Sequence, residues 1–123
     1  MTYKDTRSPR RVYSVGEEPD PRFSFANERT FLAWIRTCLA LIAAGVALDV
    51  FGGSTDEAAK RWLAGAIITT GIVCSIAAYA RWMAAERAMR LSHPVPAMPL
   101  GRLLLAVVVL VGIGVGVLVL TLP

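Results

Sequence analysis

Charged and proline residues crowd the first thirty positions, and three long apolar runs follow, separated by two short polar stretches. Residues 1 to 21 carry Lys4, Arg7, Arg10 and Arg11, then Glu17, Glu18 and Asp20, with almost nothing apolar to bury, so they read as a flexible basic and acidic arm. A helix is predicted to begin between Asp20-Pro21, an N-cap with proline at the first helical position, and Asn27, another good cap. The uncharged stretch between Arg36 and Asp49 is about 12 residues, or about 18 Å, against roughly 30 Å of hydrocarbon. The first span therefore has to run from Phe31 to Phe51, which sinks Arg36 roughly 7 Å below a boundary drawn at Phe31.

Gly52, Gly53 and Ser54 end that run, and Asp56, Glu57, Lys60 and Arg61 form a mixed-charge turn. The second run, Trp62 to Ala80, continues as a helix through Arg81, Trp82, Glu86, Arg87 and Arg90 into water, with Glu86 and Arg90 spaced to pair. His93, Pro94, Pro96 and Pro99 break it and form a stiff linker before Leu103 to Leu122, a charge-free third span. The fold expected is an all-α membrane protein: an arm over 1–21 and a three-helix domain over 22–123, with spans at about 29–51, 62–83 and 102–122. Neither an internal repeat nor a heptad stands out.

At 100° per residue, Arg29, Ala33, Arg36, Ala40, Ala43 and Ala47 share one stripe of the first span, and Phe31, Trp34, Ile35, Cys38 and Ile42 lie opposite. Small residues let backbones approach, so the alanine stripe is expected to face protein and the bulky side lipid. In the second span Ala66, Thr70, Cys74, Ala77 and Arg81 share a face, opposite Ile68, Ile72, Ile76 and Tyr79, so Arg29, Arg36 and Arg81 are candidates to converge. Gly112 and Gly116 give the third span a GxxxG spacing. Three small spans with such faces predict a homo-oligomer.

Composition agrees: 55% of residues are hydrophobic and only 18% charged, with a mean hydropathy of +0.55. Thirteen basic against nine acidic residues leave +4, which membrane topology explains better than nucleic acid does, so no nucleic-acid partner is expected. Arg22, Arg29, Arg81, Arg87, Arg90 and Arg102 flank two segments, while the remaining loop offsets Lys60 and Arg61 with acids. That asymmetry predicts a cytoplasmic N-terminus and an outer C-terminus. Cys38 and Cys74 fall inside apolar runs and read as packing residues rather than a disulfide. The single histidine, His93, precedes a proline, so no metal cluster, cofactor site or catalytic relay is visible, and no enzyme is expected.

The segment Phe25-Ala26-Asn27-Glu28-Arg29-Thr30-Phe31-Leu32-Ala33-Trp34-Ile35-Arg36-Thr37 sets a carboxylate, two arginines and two threonines around the entry of the first helix. It resembles the signature of the small bacterial YidH-like membrane proteins, the domain of unknown function 202 family. A related three-helix domain occurs in the eukaryotic vacuolar transporter chaperone complex. Close likeness covers Asp20 to Leu41 and, more loosely, Tyr79-Ala80-Arg81-Trp82. The resemblance implies a multi-pass protein of the bacterial inner membrane. From the eukaryotic complex it implies ring assembly around a cation-lined path for polyphosphate, with Arg29 matching a path-lining arginine more firmly than Arg36 does. Neither the polyphosphate-synthesising nor the regulatory domain found there is matched by these residues, so no polyphosphate synthesis is expected of them.

Two functions remain in view. One is a channel-like or transport module whose Arg29, Arg36 and Arg81, with Glu28 as counter-ion and Asn27 as cap, form a vestibule for phosphate or polyanions. The other is a non-conducting structural or regulatory subunit that holds anionic lipid or a soluble partner.

Overall fold

A computed structural model of the chain describes residues 4–53, 56–97 and 100–121, and the regular secondary structure among them is all helix. A single turn, α1 (Arg10–Tyr13), precedes three long helices: α2 (Pro21–Phe51), α3 (Glu57–Arg90) and α4 (Leu100–Thr121). All three long helices are apolar and long enough to cross a membrane. Pro99 of the expected linker, Ser54 of the expected turn and Leu122 of the third span lie outside the described residues.

The helix ends are set by local chemistry. Asp20 accepts the amide of Arg22 at 2.9 Å and Pro21 needs no partner for a missing N–H, so α2 starts at the first of the two expected places. Asp56 caps α3 by accepting from the Ala59 amide at 3.0 Å. At the other end of α3, Ser92 takes a φ of +54°, its amide donates to Met89, and the His93 amide reaches back to Ala88 at 2.9 Å. These paired reverse bonds satisfy the last carbonyls and stop the helix before Pro94.

α2 and α3 form an antiparallel hairpin whose backbones nearly touch at two glycines. A Cβ on Gly45 would stand 2.9 Å from the Ala64 carbonyl and 2.6 Å from the Ile68 side chain, and one on Gly71 would stand 2.9 Å from the Cys38 carbonyl. The register holds along the whole pair. Asn27 lies against Trp82, Cys38 against Gly71 and Gly45 against Ala64, so equal lengths of the two helices are used up between contacts. A stripe of buried and half-buried positions spaced three, four or seven apart runs through Asn27, Phe31, Trp34, Cys38, Leu41, Gly45 and Leu48 on α2 and Ala64, Ile67, Gly71, Cys74, Ala78 and Ala85 on α3, with further half-buried positions such as Ile42 and Ile68 beside it. This alternation of three and four is the heptad seam that the sequence reading does not find.

The seam corrects the expected faces of α2. Phe31, Cys38 and Ile42, assigned to the lipid side, pack toward α3, while Ala33, Ala40, Ala43 and Ala47 are exposed within the chain. On α3 the expected small face is used only in part: Cys74 is buried and Thr70, Ala77 and Arg81 are half-buried, but Ala66 is exposed and Ile68, expected opposite, packs on Gly45, so the contact face is turned toward Ala64, Ile67, Gly71 and Ala78. α4 touches α3 only slightly, none of its described side chains is buried, and Gly112 and Gly116 have nothing within 4 Å of where a side chain would begin.

The hairpin carries its own ruler. Phe31 and Phe51 on α2, and Trp82 and Trp62 on α3, are each twenty residues apart by number, or about 30 Å along a helix, one hydrocarbon thickness. Phe31, Tyr79 and Trp82 cluster at one of these levels, Tyr79 stacking on Trp82 with ring centroids 5.8 Å apart. At the other level Trp62 is 81% exposed. Beyond the ring cluster the hairpin runs on for roughly another 12 Å, from Trp82 to Arg90.

Gly45→Val and Gly71→Val each drive a branched side chain into backbone, and each is expected to destabilise the hairpin by about 1–3 kcal/mol. Thermal unfolding in detergent reads this loss. Gly65→Ala, on the open side of α3, should leave stability unchanged or slightly raised.

Candidate functional site

Chemistry concentrates at the end of the hairpin that bears the arm. Glu86, only 4% exposed, accepts the Ser24 hydroxyl at 2.6 Å and the Asn27 side-chain amide at 3.2 Å. The same amide also donates to the Trp82 carbonyl at 3.2 Å. Asn27 is therefore not the cap that its place in the sequence suggests. It lies in the second turn of α2 and spends both amide hydrogens on α3. A buried carboxyl group held by two neutral donors, with no cation bonded to it among the described residues, locks register, because sliding either helix would strand it.

One turn further out, Arg90 is paired differently from the i, i+4 bond expected with Glu86. Its guanidinium donates to Glu18 at 2.9 Å and to the carbonyls of Val15 at 2.9 Å and Tyr13 at 3.4 Å, and its carbonyl accepts the Glu17 amide at 3.0 Å. Arg87 donates to the Arg11 carbonyl at 2.8 Å, and Val12 is 1% exposed. The arm thus has an apolar anchor and a guanidinium clamp, and residues expected to project into water instead seat it. Gly16, at a φ of +62°, permits the close pass, since a Cβ there would overlap the Arg90 carbonyl. Arg7 extends the clamp, bonding Asp5 and Glu18 and lying 4.4 Å over the Tyr13 ring.

These bonds move the titrations. Arg7, and then Arg90, hold the Glu18 carboxyl down to about 2 from its ordinary 4.5, and hydrogen bonds from Arg7 hold Asp5 at about 2. Partial burial raises Tyr13.

Of the remaining sequence candidates, Arg29 and Arg36 occupy the opposite side of α2. Arg29, Arg36 and Glu28 are exposed, and Arg81 is half-buried on α3. Among the described residues none of the four makes a hydrogen bond or an ion pair. Arg29 lines an open groove of about 350 Å³ with Thr30, Ala33, Trp34, Thr37 and Leu104 of α4, and neither Arg36 nor Arg81 enters it. Thr30 and Thr37 donate to the carbonyls one turn back, at Ala26 and Ala33, so their hydroxyls satisfy their own helix. By the hairpin's ruler Arg29 stands just outside the Phe31 level, and Arg36 about 7 Å inside it. The geometry gives two cations two turns apart on one uncovered face, about 10 Å along the helix, a spacing fit for a multivalent or extended anion.

Sequence reasoning missed the Ser24, Asn27 and Glu86 cluster and the Arg90 clamp. The available signal was redundancy: Asp20-Pro21 already completes a cap, so a second capping residue six positions later had to serve something else.

Because the folded pKa of Glu18 is depressed, its contact contributes fully above about pH 4.5 and is lost as pH falls through about 2, discounted for solvent screening at this exposed carboxylate. A nitroxide on Thr6→Cys reads the arm, since the native Cys38 and Cys74 are buried. Its mobility should stay constant from about pH 7 to 5 and rise below about 4, and Arg90→Ala should make it mobile at every pH. Full mobility of the unsubstituted arm at neutral pH would contradict the clamp.

Comparison with known proteins places the hairpin. Residues 22–88 match the family described as Domain of unknown function (DUF202), a stretch that takes in α2 and nearly all of α3 and so contains the seam and the Ser24, Asn27 and Glu86 cluster. The chain is 43% identical over 89 residues to the inner membrane protein YidH of Escherichia coli, covering 70% of this chain and 76% of that one. It is 46% identical over 83 residues to the uncharacterized protein Rv2272 of Mycobacterium tuberculosis, covering 67% and 68%. No solved structure matches. With three membrane-crossing helices and this likeness along the seam, the chain belongs to the DUF202 family as a YidH-like, multi-pass protein of the inner membrane.

Proposed function

We propose that the chain assembles with copies of itself, arm in the cytoplasm and C-terminus outside, around a vestibule where Arg29 and Arg36 receive phosphate or a larger polyanion. One observation carries the reading. The hairpin leaves uncovered an α2 face on which two guanidiniums, without carboxylate partners among the described residues, sit above an alanine stripe.

An arginine that far inside the hydrocarbon level is costly facing lipid and much less so facing a wet seam between subunits. Ala33, Ala40, Ala43 and Ala47 allow such a seam to close tightly, and α4, unburied within the chain, supplies further surface for a neighbour. Repetition of Arg29 and Arg36 around an axis concentrates positive potential and selects anions. Arg81, half-buried on α3, contributes to the field from behind that face, and Glu28 tempers it. The arginine-rich loops that flank the arm end favour the cytoplasm for it. The reading includes no catalysis, because the described residues of the spans bring no nucleophile together with a base.

A second reading is favoured by the middle of the spans, where Ala, Val and Ile dominate and a conducting path would show polarity. On that reading the same arginines hold anionic lipid or a soluble partner and nothing passes.

Purified protein in liposomes separates the two. The transport reading expects uptake of phosphate or short polyphosphate, reduced at least about ten-fold by Arg29→Glu, which replaces attraction by repulsion. Liposomes impermeable to every anion tested, with a soluble partner retained at wild-type expression, would leave the non-conducting reading.

A further inference from the structure

At the opposite end of the hairpin a second groove of about 400 Å³ lies between α2 and α3, lined by Val46, Asp49, Arg61, Ala64, Gly65 and Ile68. It is built from one carboxylate, one guanidinium and an apolar floor. Asp49 and Arg61 are both exposed, and neither forms a hydrogen bond or ion pair with any described residue, although both line the same groove. Lys60, the neighbouring cation, is already spent on Glu57 and the Gly52 carbonyl.

Depth fixes what can reach this groove. Asp49 is two residues from Phe51, and Arg61 adjoins Trp62, so both charges lie at one hydrocarbon boundary, where headgroups begin. Below them, toward the bilayer centre, Gly65 has nothing within 4 Å of a Cβ position, and Val46, Ala64 and Ile68 leave an apolar channel. The shape is a charged mouth over a greasy slot.

Charge complementarity then chooses the occupant. A purely anionic headgroup would satisfy Arg61 but set its charge against Asp49, and a purely cationic group would do the reverse. A quaternary ammonium has no N–H to give a carboxylate. We propose that this groove holds a zwitterionic phospholipid with a primary ammonium headgroup: phosphate on Arg61, ammonium on Asp49, and one acyl chain over Gly65. Two opposite charges left unpaired on one helix pair are thereby both neutralised by one molecule abundant at their depth. The site belongs to the hairpin and is independent of any vestibule at the arm end.

The test offers purified protein in detergent micelles equal amounts of phosphatidylethanolamine, phosphatidylglycerol and phosphatidylcholine, and counts retained lipid by native mass spectrometry. Phosphatidylethanolamine should be retained over both others. Asp49→Asn and Arg61→Gln should each lower its retention about ten-fold, the loss of one charge-assisted bond, with Arg61→Lys recovering part of it. Gly65→Leu, which fills the slot while both charges stay, should lower retention of all three lipids. Equal retention of phosphatidylethanolamine and phosphatidylglycerol would overturn the proposal. So would retention indifferent to the substitutions, or a loss of oligomer rather than of lipid in Asp49→Asn and Arg61→Gln, the sign that these charges pair between copies.

Discussion

The structure depends on two places where helix backbones meet with no side chain between them. At Gly45 and Gly71 a carbonyl of the partner helix fills the space where a Cβ would be, so α2 and α3 can approach only in this rotation and register. In a bilayer, lipid is as apolar as leucine, and close backbone contact has to supply much of the attraction that water supplies elsewhere. Cys38, Cys74, Ala64 and Ala78, small and buried, continue the same contact along the seam. Everything else about the chain follows from which faces this contact consumes.

At the arm end, it brings Ser24 and Asn27 of α2 against Glu86 of α3, and the two helices remain paired past the aromatic level of Phe31, Tyr79 and Trp82. The extension gives Arg90 a place to grip Glu18 and the Val15 carbonyl, so a charged arm in which Val12 alone of the described residues is buried is fastened by guanidinium bonds rather than by a core. On the far side of α2, the same rotation turns Arg29, Arg36 and the alanines outward. The proposed assembly and its anion vestibule are the consequence of that exclusion.

Much of this was legible from the residues. Three helices long and apolar enough to span, the cap at Asp20-Pro21 and the continuation of α3 past Arg81 to Arg90 followed from hydropathy and turn chemistry. The packing face of α2 did not. In a span apolar on every side, amphipathicity carries no direction, and counting alanines favoured Ala33, Ala40, Ala43 and Ala47 over a stripe that mixes Phe31 and Trp34 with Cys38 and Gly45. The informative residue was Gly45, the one glycine inside α2, since a lone glycine in a long helix marks a close approach. The Arg90 clamp joins residues more than seventy positions apart, a relation no local pattern encodes. Glu86 looked like a partner for Arg90 because a spacing of four is all that a sequence displays.

Disulfide trapping in native membranes tests the central claim, that α2 spends its Cys38 face within the chain and keeps its alanine face for another copy. With Cys38 and Cys74 replaced by serine, Ala40→Cys is predicted to give linked dimers on mild oxidation, and the protein carrying only Cys38 to remain monomeric. Dimers through Cys38, with Ala40→Cys inert, would contradict the account.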